Sequence, residues 1–263
     1  MTRFPVATTT ALLGLLDDLQ ASGMDPRRRE RTDARRLDAD GEPVEVTPVD
    51  IHAFGLALQL AQARSFEGAF LVGRSTLLPK VNRGRFLGSL RRLARVGIRR
   101  GDAKPVPLIE AEGRGEWRLH PEVWGQFAGP AAGGFGQLPE AALELSPRRF
   151  VRVLRVAVYL RQNYRERVLR VSPPDWPQRV GTSLDGKLAD DCKAVGLATI
   201  SDFGDVTASR EIDAEYKPLV AARQRFNPKG QEHGTGRKNR SSSRDARRGR
   251  DRAERRATRH GGT

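Results

Sequence analysis

Arg85, Ser89, Arg92 and Arg95 follow one another at intervals of four, three and three residues. At about 100° per residue that spacing puts all four on one face of a helix, with Gly88 among them. Phe86, Leu87, Leu90, Leu93 and Ala94 gather on the other face. Long cations beside small residues can approach phosphates closely and still reach guanine edges. The alternative is a solvated arginine face on an ordinary surface helix. Arg83 stands in the turn before this helix. Arg114, in the loop Glu112-Gly113-Arg114-Gly115, is placed for a phosphate or minor-groove contact.

A second set of such residues lies further on. Arg148, Arg149, Arg152 and Arg155 share one side of a helix opened by Ser146-Pro147. Arg179, Thr182, Ser183 and Lys187 surround the start of a later helix, with Thr182 as its expected cap. That later helix turns Leu184, Leu188, Cys192 and Val195 inward and shows Gly186, Asp190 and Lys193 outward. Asp190 and Asp191 would repel phosphates, so a protein partner for this face stays open beside a nucleic acid.

Other chemistries lack their residues. Gly181-Thr182-Ser183-Leu184-Asp185-Gly186-Lys187 has most of a phosphate-binding loop, but Leu188 stands where Ser or Thr would hold Mg²⁺. His52, His120, His233 and His260 are scattered and build no metal site. Tyr159 and Tyr164 have no His-x-His partner and read as core or interface residues. Cys192, the single cysteine, reads as a small buried hydrophobe. No serine elbow is present. The sequence is expected to be no enzyme, with no cofactor and no metal.

The elements that must position these residues occur twice. Thr47-Pro48 and Ser146-Pro147 each begin a long apolar-periodic segment, and they lie 99 residues apart. Val96-Gly97-Ile98 and Val195-Gly196-Leu197 close later segments at the same separation. Thr47-Pro48-Val49-Asp50 combines a hydroxyl cap, a first-turn proline and an acid three residues after the cap. In the first copy a helix to about Ala63 precedes a strand at Phe70-Leu71-Val72 and a short helix over 75–81. The Arg-bearing helix then runs from Arg85 to Val96, with Gly97 as a left-handed cap. Pro107–Ala111 and Glu116–Leu119 form a hairpin. The second copy follows with a helix to about Asn163, a strand at Val168–Val171 and a Pro-rich short helix from Ser172-Pro173. Its third helix ends at Gly196, before strands Ala198–Ile200 and Val206–Ala208.

Helix, strand, helix, helix and hairpin is the order of a winged helix. The expected fold is therefore α+β: tandem winged-helix domains from an internal duplication, with a disordered basic C-terminal tail. The divisions are an amphipathic N-terminal helix in 1–25, a charged linker in 26–46 and a first winged helix in 47–128. A linker in 129–144, a second winged helix in 145–222 and the tail in 223–263 complete them.

Charge fits a polyanionic partner. The formal net charge is +15, of which 223–263 carries +10 (14 Lys and Arg against 4 Asp and Glu). Such a tail adds affinity through counterion release without sequence preference. No apolar run approaches the roughly 18–20 residues of a membrane span, and the leucines at 12–16 are followed at once by Asp17 and Asp18 rather than a cleavage site. A cytoplasmic location is expected. The N-terminal leucine helix is open to three uses: simple packing, a dimer surface or a docking peptide.

Phe127-Ala128-Gly129, Phe135 and Leu145-Ser146-Pro147-Arg148-Arg149, with Cys192-Lys193-Ala194-Val195-Gly196-Leu197, resemble short motifs of the TrfA type of iteron-binding plasmid replication initiators. The likeness spans about residues 47–203. It implies tandem winged helices that bind direct repeats of double-stranded DNA at an origin, help melt an adjacent A·T-rich region and engage a host replicative helicase. Self-association is a separate expectation. The chain departs from the pattern in its acidic second recognition helix, its long Arg-rich tail and the lack of a Gln-Leu-x-Leu-Phe peptide. A transcriptional or partition regulator binding an operator as a dimer is the competing expectation. A protein-interaction module touching nucleic acid only through its tail is a third.

Overall fold

The computed structural model describes residues 1–21, 34–35, 45–64, 68–73, 81–98, 106–113, 115–125, 134–164 and 168–226. The fold is mixed α+β. Met1–Tyr216 forms one compact unit, and Lys217–Thr263 a second. In chain order the elements begin with β1 (Thr2–Pro5), α1 (Val6–Ala21), β2 (Ala34–Arg35), α2 (Pro48–Arg64), β3 (Ala69–Leu71) and α3 (Arg83–Leu93). Next come β4 (Gly97–Ile98), β5 (Val106–Pro107), β6 (Ile109–Ala111), β7 (Glu116–Leu119), α4 (Pro121–Gly125) and β8 (Phe135–Leu138). A 3-10 turn (Glu140–Glu144) leads to α5 (Pro147–Asn163), β9 (Val168–Leu169), a second 3-10 turn (Pro173–Asp175) and α6 (Trp176–Arg179). The chain continues with α7 (Gly186–Ala194), β10 (Ala198–Ile200), β11 (Val206–Ala208) and α8 (Arg210–Phe226).

The 99-residue offset survives in three dimensions. Both α2 and α5 are 17 residues long, and their first residues, Pro48 and Pro147, lie 99 positions apart. Each copy builds one three-stranded antiparallel sheet in the same order, β3-β7-β6 and β9-β11-β10. Trp117, on the central strand of the first, pairs with Phe70 on one side and Ala111 on the other. Val206 holds the equivalent place between Leu169 and Ile200. The two hairpins are closed by matching bonds, His120 N–H to the Leu108 carbonyl at 3.1 Å and Ser209 N–H to the Leu197 carbonyl at 3.0 Å.

One difference breaks the match. Leu108 follows Gly97 by eleven positions, whereas Leu197 follows Gly196 directly. The ten additional residues of the first copy contribute β4 and β5, which pair with each other, and β4 also pairs with β2. Gly97 is therefore strand rather than the expected left-handed cap, and α3 is capped instead by Ala94 in right-handed helical geometry. Gly196, without that insertion, does take φ +76°.

Apolar side chains explain where the helices lie. Phe54, Leu58, Phe86, Leu90, Leu93, Leu108 and Leu119 form the core of the first copy, and Phe150, Leu154, Trp176, Leu188, Cys192, Leu197 and Val206 that of the second. The helix α5 is buried around most of its circumference because α1, α2, α7 and β8 all pack on it. The expected N-terminal helix is α1, with Leu12, Leu13, Leu15 and Leu16 all buried. A strand that the sequence analysis did not anticipate precedes it: β1 pairs with β8, inside the stretch read as a linker.

Also unanticipated is α8, whose Ile212 and Tyr216 are buried. Tyr164 donates its hydroxyl to Asp213 and stacks edge-on against Tyr216 at 5.2 Å, while the Tyr216 hydroxyl accepts from Gln137 N–H at 2.9 Å. Of the second unit, the described part continues α8 to Phe226. The short helix expected over 75–81 lies largely outside the described residues, as do nearly all of the first linker and the tail beyond Phe226.

Candidate nucleic-acid interface

The helix α3 begins where Asn82 accepts the Arg85 N–H at 3.0 Å, satisfying one of the donors that a helix start leaves open. Its buried side consists of Phe86, Ser89, Leu90 and Leu93. Ser89 is thus turned inward, not outward as its spacing predicted. The cause is an ion pair. Arg92 Nε and Nη2 both reach Asp50 Oδ1, at 2.9 and 2.7 Å, and Nη2 also donates to Ser89 Oγ at 3.0 Å. Asp50, 1% exposed at its side chain, draws Arg92 toward α2.

The outward face is therefore rotated by about one position from the expected stripe. Arg85, Arg91 and Arg95 are exposed, with Gly84 and Gly88 near them. Arg91 was missed by the sequence analysis. The signal that could have found it is Asp50 three positions after a helix cap, a buried acid that demands a cation from the helix packed on it. Arg83 is exposed and donates to the Val72 carbonyl at 3.3 Å. Arg114 lies outside the described residues.

Asp50 has a second task. It accepts the Thr47 backbone N–H at 2.9 Å and the Thr47 hydroxyl at 2.7 Å. The shorter acid completes the reciprocal half of a capping box. One buried carboxylate thereby fixes both the start of α2 and the angle of α3.

The second copy solves the same problem with the charges exchanged. Arg149 Nε donates to Asp191 Oδ2 at 2.8 Å, and its Nη2 to Asp191 Oδ1. Arg149 lies 99 residues after Asp50, and Asp191 lies 99 after Arg92. In both copies the arginine is 43% exposed and the aspartate almost fully buried. The guanidinium beside Asp191 holds its carboxyl below the usual carboxylate range, and the same hydrogen bond raises Arg149.

This pairing corrects the expected charge of α7. Asp191 is neutralised and turned inward, so it does not face phosphates. The exposed residues of α7 are Gly186, Lys187, Asp190, Lys193 and Ala194, two cations against one acid. Thr182 is not the cap either. Asp185 is, with Oδ1 accepting the Leu188 N–H at 2.8 Å. Arg152 organises this corner, donating to Asp185 Oδ2 and the Ser183 carbonyl at 2.8 Å and to Thr182 Oγ1 at 3.2 Å. That bond, with the backbone N–H of Leu188, keeps the Asp185 carboxyl below its ordinary range.

Arg155 is 9% exposed and paired with Asp17 of α1. The expected basic face of α5 is accordingly spent on structure: Arg149, Arg152 and Arg155 all hold neighbouring elements, while Arg148 is exposed. Arg179, Ser183 and Lys187 are exposed, and Arg179 stands 3.9 Å from Asp175.

His52, His120 and Cys192 serve local structure. His52 bonds the Leu143 carbonyl through Nε2 at 2.8 Å, and burial lowers its pKa. It therefore stays neutral and donates. His120 Nδ1 accepts the Glu122 N–H at 3.2 Å, at the start of α4. Burial pushes the Cys192 thiol up to about 12, which makes it inert. Among the described residues no group of His, Cys, Asp and Glu could hold a metal, and no helix is long and apolar enough to cross a membrane. Comparison with protein-family models, curated proteins and solved structures gives no match.

Proposed function

We propose that the chain is a sequence-specific double-stranded DNA-binding protein, built from two winged-helix units and acting as a plasmid replication initiator rather than as an enzyme. The observation that carries this reading is the third helix of the first copy. It presents Arg85 and Arg91 beside two glycines, with Arg95 exposed in the turn that follows, on a frame of helices and an antiparallel hairpin that the second copy repeats. Cations beside small residues on such a helix suit entry into a major groove. In the second copy Lys187, Lys193 and Arg179 give a thinner basic surface, suited to contacts with the phosphate backbone. The unit would grip one repeat at two successive grooves, and several copies would bend and open the origin. A host replicative helicase would then be engaged, with the chain acting in the cytoplasm.

The competing function is a transcriptional or partition regulator that binds an operator as a dimer. Footprinting on the DNA flanking the gene separates the two. Protection of tandem direct repeats supports an initiator. Protection of a single inverted repeat at a promoter replaces it with a regulator, and the absence of any discrete footprint removes both.

A further inference from the structure

Gly55 lies in the middle of α2 and is buried. A Cβ there would come within 2.6 Å of Phe150 Cζ and 3.0 Å of Leu143 Cδ2. Position 55 thus lets α2 seat directly on the first turn of α5 because it carries no side chain. One turn earlier, His52 reaches the Leu143 carbonyl at 2.8 Å, and its ring meets Phe150 edge-on at 4.9 Å. Phe150 and Leu143 are both buried. A packed seat of this kind does not slide continuously, since any displacement opens voids or forces overlaps.

The seat joins the two ion pairs into one frame. Arg92 and Asp50 tie α3 to α2, and Asp191 and Arg149 tie α7 to α5. The starts of both third helices border one short stretch of chain. Asn82, Arg85 and Phe86, at the start of α3, line one cavity with Ser146 and Pro147. In the next turn of α5, Arg152 meets Asp185, the cap of α7, at 2.8 Å. A second fastening lies at the N-terminal strand. Arg3 of β1 exchanges backbone bonds of 2.8 and 2.7 Å with the Gln62 side chain of α2, and α1, which follows β1, is held to α5 by Asp17 and Arg155.

We infer that Gly55 is a spacing-determining residue. The close seat it permits holds the starts of α3 and α7 at one separation, so the chain binds a bipartite duplex site whose two contact segments lie a fixed number of base pairs apart. This rests on the DNA-binding reading and adds to it a rigid ruler. Two extra base pairs between the segments would move them apart by about 7 Å and turn them by about 70°. A frame seated in this way does not follow such a change. The second copy then loses its phosphate contacts while the first keeps its own.

The test is binding of the full chain to the duplex protected in footprinting, uninterrupted or with two or ten base pairs inserted at its centre. Two should lower affinity about tenfold, the loss expected of Lys187→Ala with Lys193→Ala on the uninterrupted site. The two losses should not add. Ten restore the helical phase but add about 34 Å, so affinity should stay low, whereas a loosely tethered second copy would recover there. Gly55→Ala should cut the preference for the native spacing to about twofold or less, because the ring of Phe150 must shift. Phe150→Leu in that background removes the atom the new Cβ meets and should restore the preference. Nitroxide labels on Arg91→Cys and Lys187→Cys, with Cys192 buried beyond labelling, give an arm without DNA. Pulsed electron resonance should show one narrow distance, which Gly55→Ala moves or broadens. Equal binding to all three duplexes, recovery at ten base pairs, or a broad distance in the DNA-free chain overturns the ruler. None of these needs Gly55→Ala to fold. Absence of any footprint overturns the DNA-binding reading and the spacing claim with it, and a narrow distance then shows that the frame itself was not at fault.

Discussion

At the junction of α2 and α3 the aspartate is on the first helix and the arginine on the third; at the junction of α5 and α7 the two have changed places. Each pair keeps the aspartate buried and the arginine partly in solvent, which is what desolvation requires. A carboxylate can be satisfied by two guanidinium donors, whereas a guanidinium has five donors to satisfy and is better left with one edge in water. What the exchange alters is the surface. In the first copy α3 keeps Arg85 and Arg91 outward beyond its strut, Arg92, and the turn after it exposes Arg95. In the second copy the strut is supplied by the first helix, and the third is left with two lysines and one outward acid. The two frames share their geometry while their outer faces differ in charge.

The comparison breaks most severely if the outward arginines of α3 are removed. On the proposed DNA-binding reading, Arg91→Ala with Arg95→Ala should lower specific DNA affinity more than a hundredfold, at about 1–3 kcal/mol for each arginine that would read a base. Lys187→Ala with Lys193→Ala should cost about tenfold and reduce the salt slope instead. Equal losses from the two pairs, measured by titration against a footprinted site, would erase the distinction between the copies.

Next in size is the loss of Asp50. Asp50→Ala removes a helix cap and strands Arg92, and should destabilise the unit by about 2–4 kcal/mol in chemical denaturation. Asp191→Ala removes a strut but no cap, and its effect should be smaller. A larger effect at Asp191 would mean that capping at Asp50 contributes little.

A subtler test exchanges the second pair. Arg149→Asp with Asp191→Arg copies the first arrangement into the second. The fold should be retained, and DNA affinity should rise a few-fold as α7 gains a half-exposed guanidinium. No gain would show that the orientation of α7, not its charge, limits its contact.

The smallest effect is in pH dependence. The Asp191 carboxyl is depressed below its ordinary value of 3.8 by Arg149, so its contribution is complete above that value and is lost as pH falls through the folded value. Asp191→Asn should flatten the acid limb of the stability curve below about pH 4 and leave its shape above that region unchanged. A change in the slope between pH 5 and pH 8 would point to a different group.

Much of the frame was legible from local signals. Ser146-Pro147 opens α5, the two hairpins appear at the sites marked by alternating residues and turns, and Cys192 is a core residue as its type suggested. The errors in outward-facing charge share one physical origin: a single helix cannot report what its neighbour pulls inward. Ser89 and Arg92 matched the outward spacing until Asp50 claimed Arg92, and Asp191 was counted as repulsive because Arg149 was not seen as its partner. Applying the 99-residue offset to charged residues as well as to caps would have paired Asp50 with Arg149 and Arg92 with Asp191. The helix α8 was passed over because its Pro218 and dense charge obscure the pair Ile212 and Tyr216.

The pairing of β1 with β8 has a consequence for how the chain is made. Thr2 meets Leu138 and Pro5 meets Phe135, so the earlier strand of this pair waits on the ribosome for one about 130 residues behind it. At about 5–20 residues per second, that is roughly 7 to 26 seconds with an edge unpaired. The whole first copy is synthesised inside this open loop and must mature without the strand that closes it. A slowed ribosome between the copies would prolong the exposure, which makes the early strand, rather than either core, the point at which a chaperone would be needed.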